Sequence, residues 1–143
     1  VDELLMNAMF DAPTNNAGKH LYASLDRKKI VKLSELEAPV LEYGSDGHCL
    51  AIGVADPFGS LNHDRVLTYL EKCLFKDDLQ IDDKPGGAGL GLFEIYKNVD
   101  SLVFNVDHGR RTEVICLIKL KLDGKFTKRN IETLCFFERI PKP

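Results

Sequence analysis

Four glycines fall within six residues, at Gly86, Gly87, Gly89 and Gly91, and they run straight into Phe93 to Asn98, which reads as a short helix. Glycine loses more conformational freedom on folding than any other residue, so such a cluster marks a backbone that must turn sharply or be approached closely. At a loop-to-helix junction the free N–H groups and the helix dipole form an anion site, and phosphate is its usual occupant. Two familiar forms of that site fail here. No glycine is followed by Lys and a hydroxyl residue at P-loop spacing. A GxGxxG begun at Gly87 would need glycine where Leu92 stands, and no parallel strand is predicted before it.

The chain has 143 residues, 44% apolar and 29% charged, which suits one domain with one core. Nineteen Lys and Arg against 22 Asp and Glu give a net charge of -3, with signs interleaved, whereas a nucleic-acid binder carries a clustered basic excess. Nucleic acid is therefore not an expected partner. The longest apolar runs, such as Val114 to Ile118, fall far below the ~20 residues of a membrane span. No signal-peptide pattern follows Val1, so a cytoplasmic protein without membrane contact is expected. Cys49, Cys73, Cys116 and Cys135 lack CxxC or Cys-His metal spacing and read as free thiols among apolar neighbours.

Leu4, Leu5, Ala8 and Met9 recur at helical spacing, and Pro13 to Gly18 ends that helix. Lys29 to Leu33 alternates weakly, as an edge strand would. Val40 to Tyr43 and Cys49 to Val54 read as strands joined by an Asp46-Gly47 turn. His63 to Phe75 carries an apolar stripe with Asn62 or Asp64 as its cap. Leu102 to Val106 and Val114 to Leu120 form a second hairpin across His108-Gly109-Arg110, and Ile131 to Phe137 has no clear period. The order helix, hairpin, helix, glycine turn, helix, hairpin predicts an α+β two-layer sandwich, its mixed sheet mostly antiparallel and its helices on one face.

Glu3 and Asn7 lie four apart and share a helix face. An Asn oxygen suits Mg²⁺, and a carboxylate beside it can orient or deprotonate a nucleophile. Asp56, between a buried strand and Pro57, is placed to accept a hydrogen bond from an exocyclic amine. Singly, each has an ordinary alternative: a solvated helix residue, a local cap, a turn former. All four histidines read as surface or turn residues.

Taken together, Asp2-Glu3-Leu4-Leu5-Met6-Asn7-Ala8, Val54-Ala55-Asp56-Pro57-Phe58-Gly59 and Gly87-Ala88-Gly89-Leu90-Gly91-Leu92 resemble the N, G1 and G2 boxes of the histidine-kinase-like ATPases, the Bergerat-fold superfamily. Thr112 resembles the threonine that opens that family's last core strand. The resemblance covers Asp2 to about Leu120. It implies Mg²⁺ on Asn7, Glu3 as general base, and the adenine amine on Asp56, with Gly59 and Thr112 also at the nucleotide. It further implies Gly87, Gly89, Leu90, Gly91 and Leu92 around the phosphates, and a mobile lid from Ser60 to Gly86. By the same resemblance the chain is a single ATP-binding domain over 1–143 that lacks its first strand and helix and carries an added segment at 121–143.

Phe58 stands where the G1 box has glycine, one position before Gly59. Phe10 and Asp11 stand where the family's kinases carry a basic residue, and Asp11 would repel ATP unless Lys19, His20, Arg65 or Lys84 compensates. A sensor kinase's phosphoacceptor helices are absent. The resemblance thus implies an ATP- and Mg²⁺-dependent bacterial signalling domain that transfers phosphate to a protein partner or regulates one in the anti-sigma manner, with homodimerisation allowed. The alternative is a degenerate, non-catalytic switch that binds nucleotide or only a partner.

Overall fold

The computed structural model describes residues 1–15, 17–75, 90–120 and 131–139. Its order is helix α1 (Asp2–Met6) continuing into a π-helical turn (Asn7–Asp11), strands β1 (Val40–Ser45) and β2 (Cys49–Asp56), helices α2 (His63–Phe75) and α3 (Leu90–Asn98), and strands β3 (Ser101–Asp107), β4 (Arg111–Lys119) and β5 (Thr133–Arg139). The strands form one five-stranded mixed sheet in the order β1-β2-β4-β3-β5. All neighbours are antiparallel except β3 and β5, which run parallel. The α+β class and the mostly antiparallel sheet are as the sequence predicts.

Alternation sets which side of the sheet meets the helices. In β3, Leu102, Phe104 and Val106 are buried while their neighbours are half-exposed. Register carries that face across to Cys116, Val114 and Thr112 of β4, and from there to Ile52, Val54 and Asp56 of β2. Leu4 and Ala8 from the first helix, Val66 and Leu70 from α2, and Ile95 and Val99 from α3 close over this face in one core. The arrangement is compatible with two layers, helices over sheet.

Local chemistry fixes the turns. Asp46 Oδ1 accepts from the His48 and Cys49 amides at 2.8 and 2.7 Å, and Gly47 takes φ +86°. Asn62 is the cap of α2, accepting from the Arg65 amide at 3.1 Å.

Three expectations change. Residues 29–33 are irregular rather than an edge strand, because Ile30 is 92% exposed among lysines and has no apolar surface to cover. Ile131 to Phe137, without a clear period, supplies β5 at the sheet edge, where Phe136 stacks on Phe104 at 5.3 Å. Of the expected lid, residues 63–75 are a helix whose Val66 and Leu70 belong to the core, while 76–86 lie outside the described residues. Cys116 is buried and free, its thiol pushed up to about 11 by burial, while Cys49 and Cys135 are free and half-buried. Among the described residues no helix is long and apolar enough to cross a membrane.

Candidate functional site

A cavity of about 380 Å³ lies between the helices and the core face of the sheet, a size ordinary for small-molecule sites. Leu4, Ala8, Val54, Leu92, Ile95 and Phe104 give it apolar walls, and its polar groups come from two places.

The sheet supplies the first. Asp56 ends β2 and pairs in register with Thr112 near the start of β4; both face the core and are only 7% and 3% exposed. The Phe58 amide donates to Asp56 Oδ1 at 2.9 Å, and the Gly59 amide and Thr112 hydroxyl also favour the ionised carboxylate. Burial outweighs them and raises its pKa to about 6. The Thr112 hydroxyl, though beside Asp56, makes no hydrogen bond of normal geometry.

The first helix and the irregular segment after it supply the second. The π turn lets the Ala12 amide donate to the Asn7 carbonyl at 2.9 Å. In a regular α-helix Asp11, eight residues after Glu3, would sit about 80° off its face; the wider turn brings it back. Glu3, Asn7 and Asp11 then converge on Arg27, held in a turn where the Lys28 amide donates to Asp26 Oδ1 at 2.9 Å. Arg27 Nη1 lies 3.3 Å from Glu3 Oε2, and Nη2 lies 3.0 Å from Asp11 Oδ2 and 3.4 Å from Asn7 Oδ1. His20 is fixed by a small loop in which Thr14 and His20 form a β-bridge and Asn15 Oδ1 accepts the Ala17 and Lys19 amides. Its Nε2 lies 3.0 Å from Nη1 of Arg65, which also stacks on Tyr69 at 5.6 Å. Burial raises the Asp11 pKa, and Arg27, Arg65 and His20 oppose that shift.

Among the described residues three buried side-chain polar atoms lack a hydrogen-bond partner: Thr112 Oγ1, His20 Nδ1 and Arg27 Nε. All three belong to residues lining this cavity. An unpaired buried polar atom costs about 1–3 kcal/mol.

The expected site residues therefore separate. Asn7, Asp56, Gly91, Leu92 and Thr112 line the cavity; Glu3 and Gly59 do not. Glu3, expected as a base, is ion-paired to Arg27 at the rim with its side chain 44% exposed. Gly59, expected at the nucleotide, instead makes a tight backbone crossing: it takes φ +58°, and a Cβ there would collide with the Asp107 carbonyl and meet the Gly109 and Arg110 nitrogens at 2.7 Å. The backbone of Leu90 opens α3, and Gly87 and Gly89 lie outside the described residues.

Mg²⁺ needs oxygen donors in near-octahedral array. Here the Glu3 and Asn7 oxygens already accept from a guanidinium, and no cluster of three or more His, Cys, Asp or Glu among the described residues suits a metal. These residues do not fit the ion. Arg27 lies in no motif and reaches the helix only through the fold, so the sequence does not announce it. His20, expected at the surface or in a turn, is half-buried and lines the cavity. No family model, curated protein or solved structure matches this chain.

Proposed function

We propose that this chain is a nucleotide-binding signalling domain of the Bergerat type, acting as a switch on a protein partner. The observation that carries the reading is the trio of unpaired polar atoms around one apolar-walled cavity, one beside the Asp56 carboxylate and two among the basic side chains. An adenine ring would lie against Ala8, Leu92 and Ile95, its amine donating to Asp56 and a ring nitrogen accepting from Thr112. Its phosphates would reach toward His20 and Arg27. The sequence resemblance adds the glycines before α3.

Of the two expected modes, Mg²⁺-dependent phosphoryl transfer and a non-catalytic switch, the ion pair of Glu3 with Arg27 favours the second. Glu3 Oε2 accepts from the guanidinium and its residue does not line the cavity, and the amide oxygen expected for the metal is engaged too.

Thermal denaturation with ATP tests the reading. A ligand that binds only the folded state stabilises it by about 2.7 kcal/mol at a hundred times Kd. Wild type is expected to shift, and Asp56→Asn to shift much less. An unshifted wild type at millimolar ATP, with or without Mg²⁺, would sink the proposal.

A further inference from the structure

The basic end of the cavity has a hydrogen-bond sense that can be worked out atom by atom. Arginine has donors only, so in the 3.0 Å contact between Arg65 Nη1 and His20 Nε2 the imidazole nitrogen accepts. The proton of neutral His20 is then on Nδ1, and that buried atom is an unpaired donor. Arg27 spends Nη1 on Glu3 and Nη2 on Asn7 and Asp11, leaving its buried Nε–H unpaired as well. His20 and Arg27 both line one cavity, and each carries a buried N–H donor without an acceptor on a side chain supported by further contacts. Their complement is an anionic oxygen.

We propose that Arg27, with His20, forms a metal-independent phosphate seat, the guanidinium taking the place that the sequence resemblance assigns to Mg²⁺. The seat rests on the nucleotide reading only for the identity of its ligand; its own requirement is a phosphate oxygen. Arg27 does two jobs that a divalent ion would do. It neutralises Glu3 and Asp11, which would otherwise repel the ligand, and it offers a donor to the phosphate. A guanidinium cannot be chelated away, so the seat stays charged without added metal.

Titration calorimetry on the whole chain, with ATP and with inorganic tripolyphosphate, each in EDTA and in Mg²⁺, tests the seat. Wild type is expected to bind both in EDTA, with ATP affinity changed less than threefold by Mg²⁺. Arg27→Ala is expected to lose at least tenfold in EDTA and to regain part of it in Mg²⁺, because Glu3 and Asn7 are then free. Arg27→Lys keeps a positive charge but not the Nε–H and is expected to fall between them; its melting curve separates lost binding from lost fold. Wild-type binding that requires Mg²⁺, or an Arg27→Ala protein with unchanged affinity in EDTA, overturns the seat and leaves the nucleotide reading standing. Tripolyphosphate binding with ATP no tighter supports the seat and removes the adenine reading. Binding of neither overturns both.

Discussion

The carboxylate of Glu3 fills the space that a side chain at position 91 would need: a Cβ on Gly91 would collide with Glu3 Oε2 and stand 2.8 Å from its Cδ. The same oxygen accepts from Arg27 at 3.3 Å. One glycine of the string thus lets α1 and α3 approach and leaves the acidic side chain free to reach the arginine.

Gly91→Ala is expected to change stability by less than about 1 kcal/mol. Alanine gains up to about 1 kcal/mol in helix propensity over glycine, and what it displaces is the flexible end of a half-exposed side chain. The change should appear in ligand binding, since Glu3 must leave Arg27. Urea denaturation checks the first part; a loss above about 3 kcal/mol would show the contact to be rigid.

Gly59→Ala has the opposite expectation. The left-handed backbone alone costs alanine about 1–2 kcal/mol, and here the Cβ runs into backbone atoms of the β3–β4 turn. The Gly109 amide also donates to the Gly59 carbonyl at 3.2 Å, so the loop after β2 cannot back away without giving up that bond. A total loss of about 3 kcal/mol or more is expected. A midpoint close to wild type would mean that the crossing is loose.

These two glycines show what is legible in the sequence. The hairpins and the helix between them follow from alternation and turn residues, which are local, whereas the pairing of Asp56 with Thr112 joins strands of different hairpins and does not. Gly59 reads as a ligand contact because a motif records that a glycine is needed, not whether a ligand or the Asp107 carbonyl fills the missing side chain's place. Arg27 is illegible for a different reason. It lies 16 residues beyond Asp11 in an irregular segment, and its pairing depends on a π turn that shifts the helix face. Sequence periodicity cannot report either.

Asp56 makes two pH dependences run in opposite directions. Its folded pKa lies near 6, above the ordinary 3.8, because burial disfavours the charge. The stability this group contributes is therefore full below about pH 4 and lost as pH rises through 6. Asp56→Asn, which keeps an acceptor for the Phe58 amide, is expected to stabilise the ligand-free protein by roughly 2 kcal/mol at pH 8 and hardly at all at pH 4. Ligand affinity should do the reverse, falling in wild type as pH drops below 6 because the protonated carboxyl is a poorer acceptor. Melting curves of both proteins across pH 4 to 8, with and without ATP, test the pair of slopes.

Base selectivity follows from the same carboxylate. Adenine presents an amine to Asp56, whereas guanine presents a carbonyl oxygen at the corresponding position and would set two acceptors against each other. Wild type is expected to prefer ATP over GTP by about 100-fold or more, the cost of about 3 kcal/mol for an unpaired buried charge-bearing group. The side-chain amide introduced by Asp56→Asn can turn to donate, so the preference should shrink to about tenfold or less. Competition binding measures this, and equal affinity for the two nucleotides in wild type would remove Asp56 from the base pocket.

Asp11 tests the charge balance at the other end. Its carboxylate is 3.0 Å from Arg27, with that side chain 24% and its own 31% exposed, so the pair is only partly screened by water. Burial raises its pKa while Arg27, Arg65 and His20 pull it down. That carboxylate faces the same cavity as the ligand. Removing that charge in Asp11→Asn frees part of the Arg27 field for phosphate, worth about 1 kcal/mol at the dielectric of a half-exposed site, or about fivefold in ATP affinity. The substitution keeps an oxygen that can accept from Nη2, so Arg27 need not move. Titration in EDTA at low and high salt is the measurement. Tighter binding that weakens as salt rises is expected, and an affinity reduced by the substitution would mean that Asp11 positions Arg27 more than it repels the ligand.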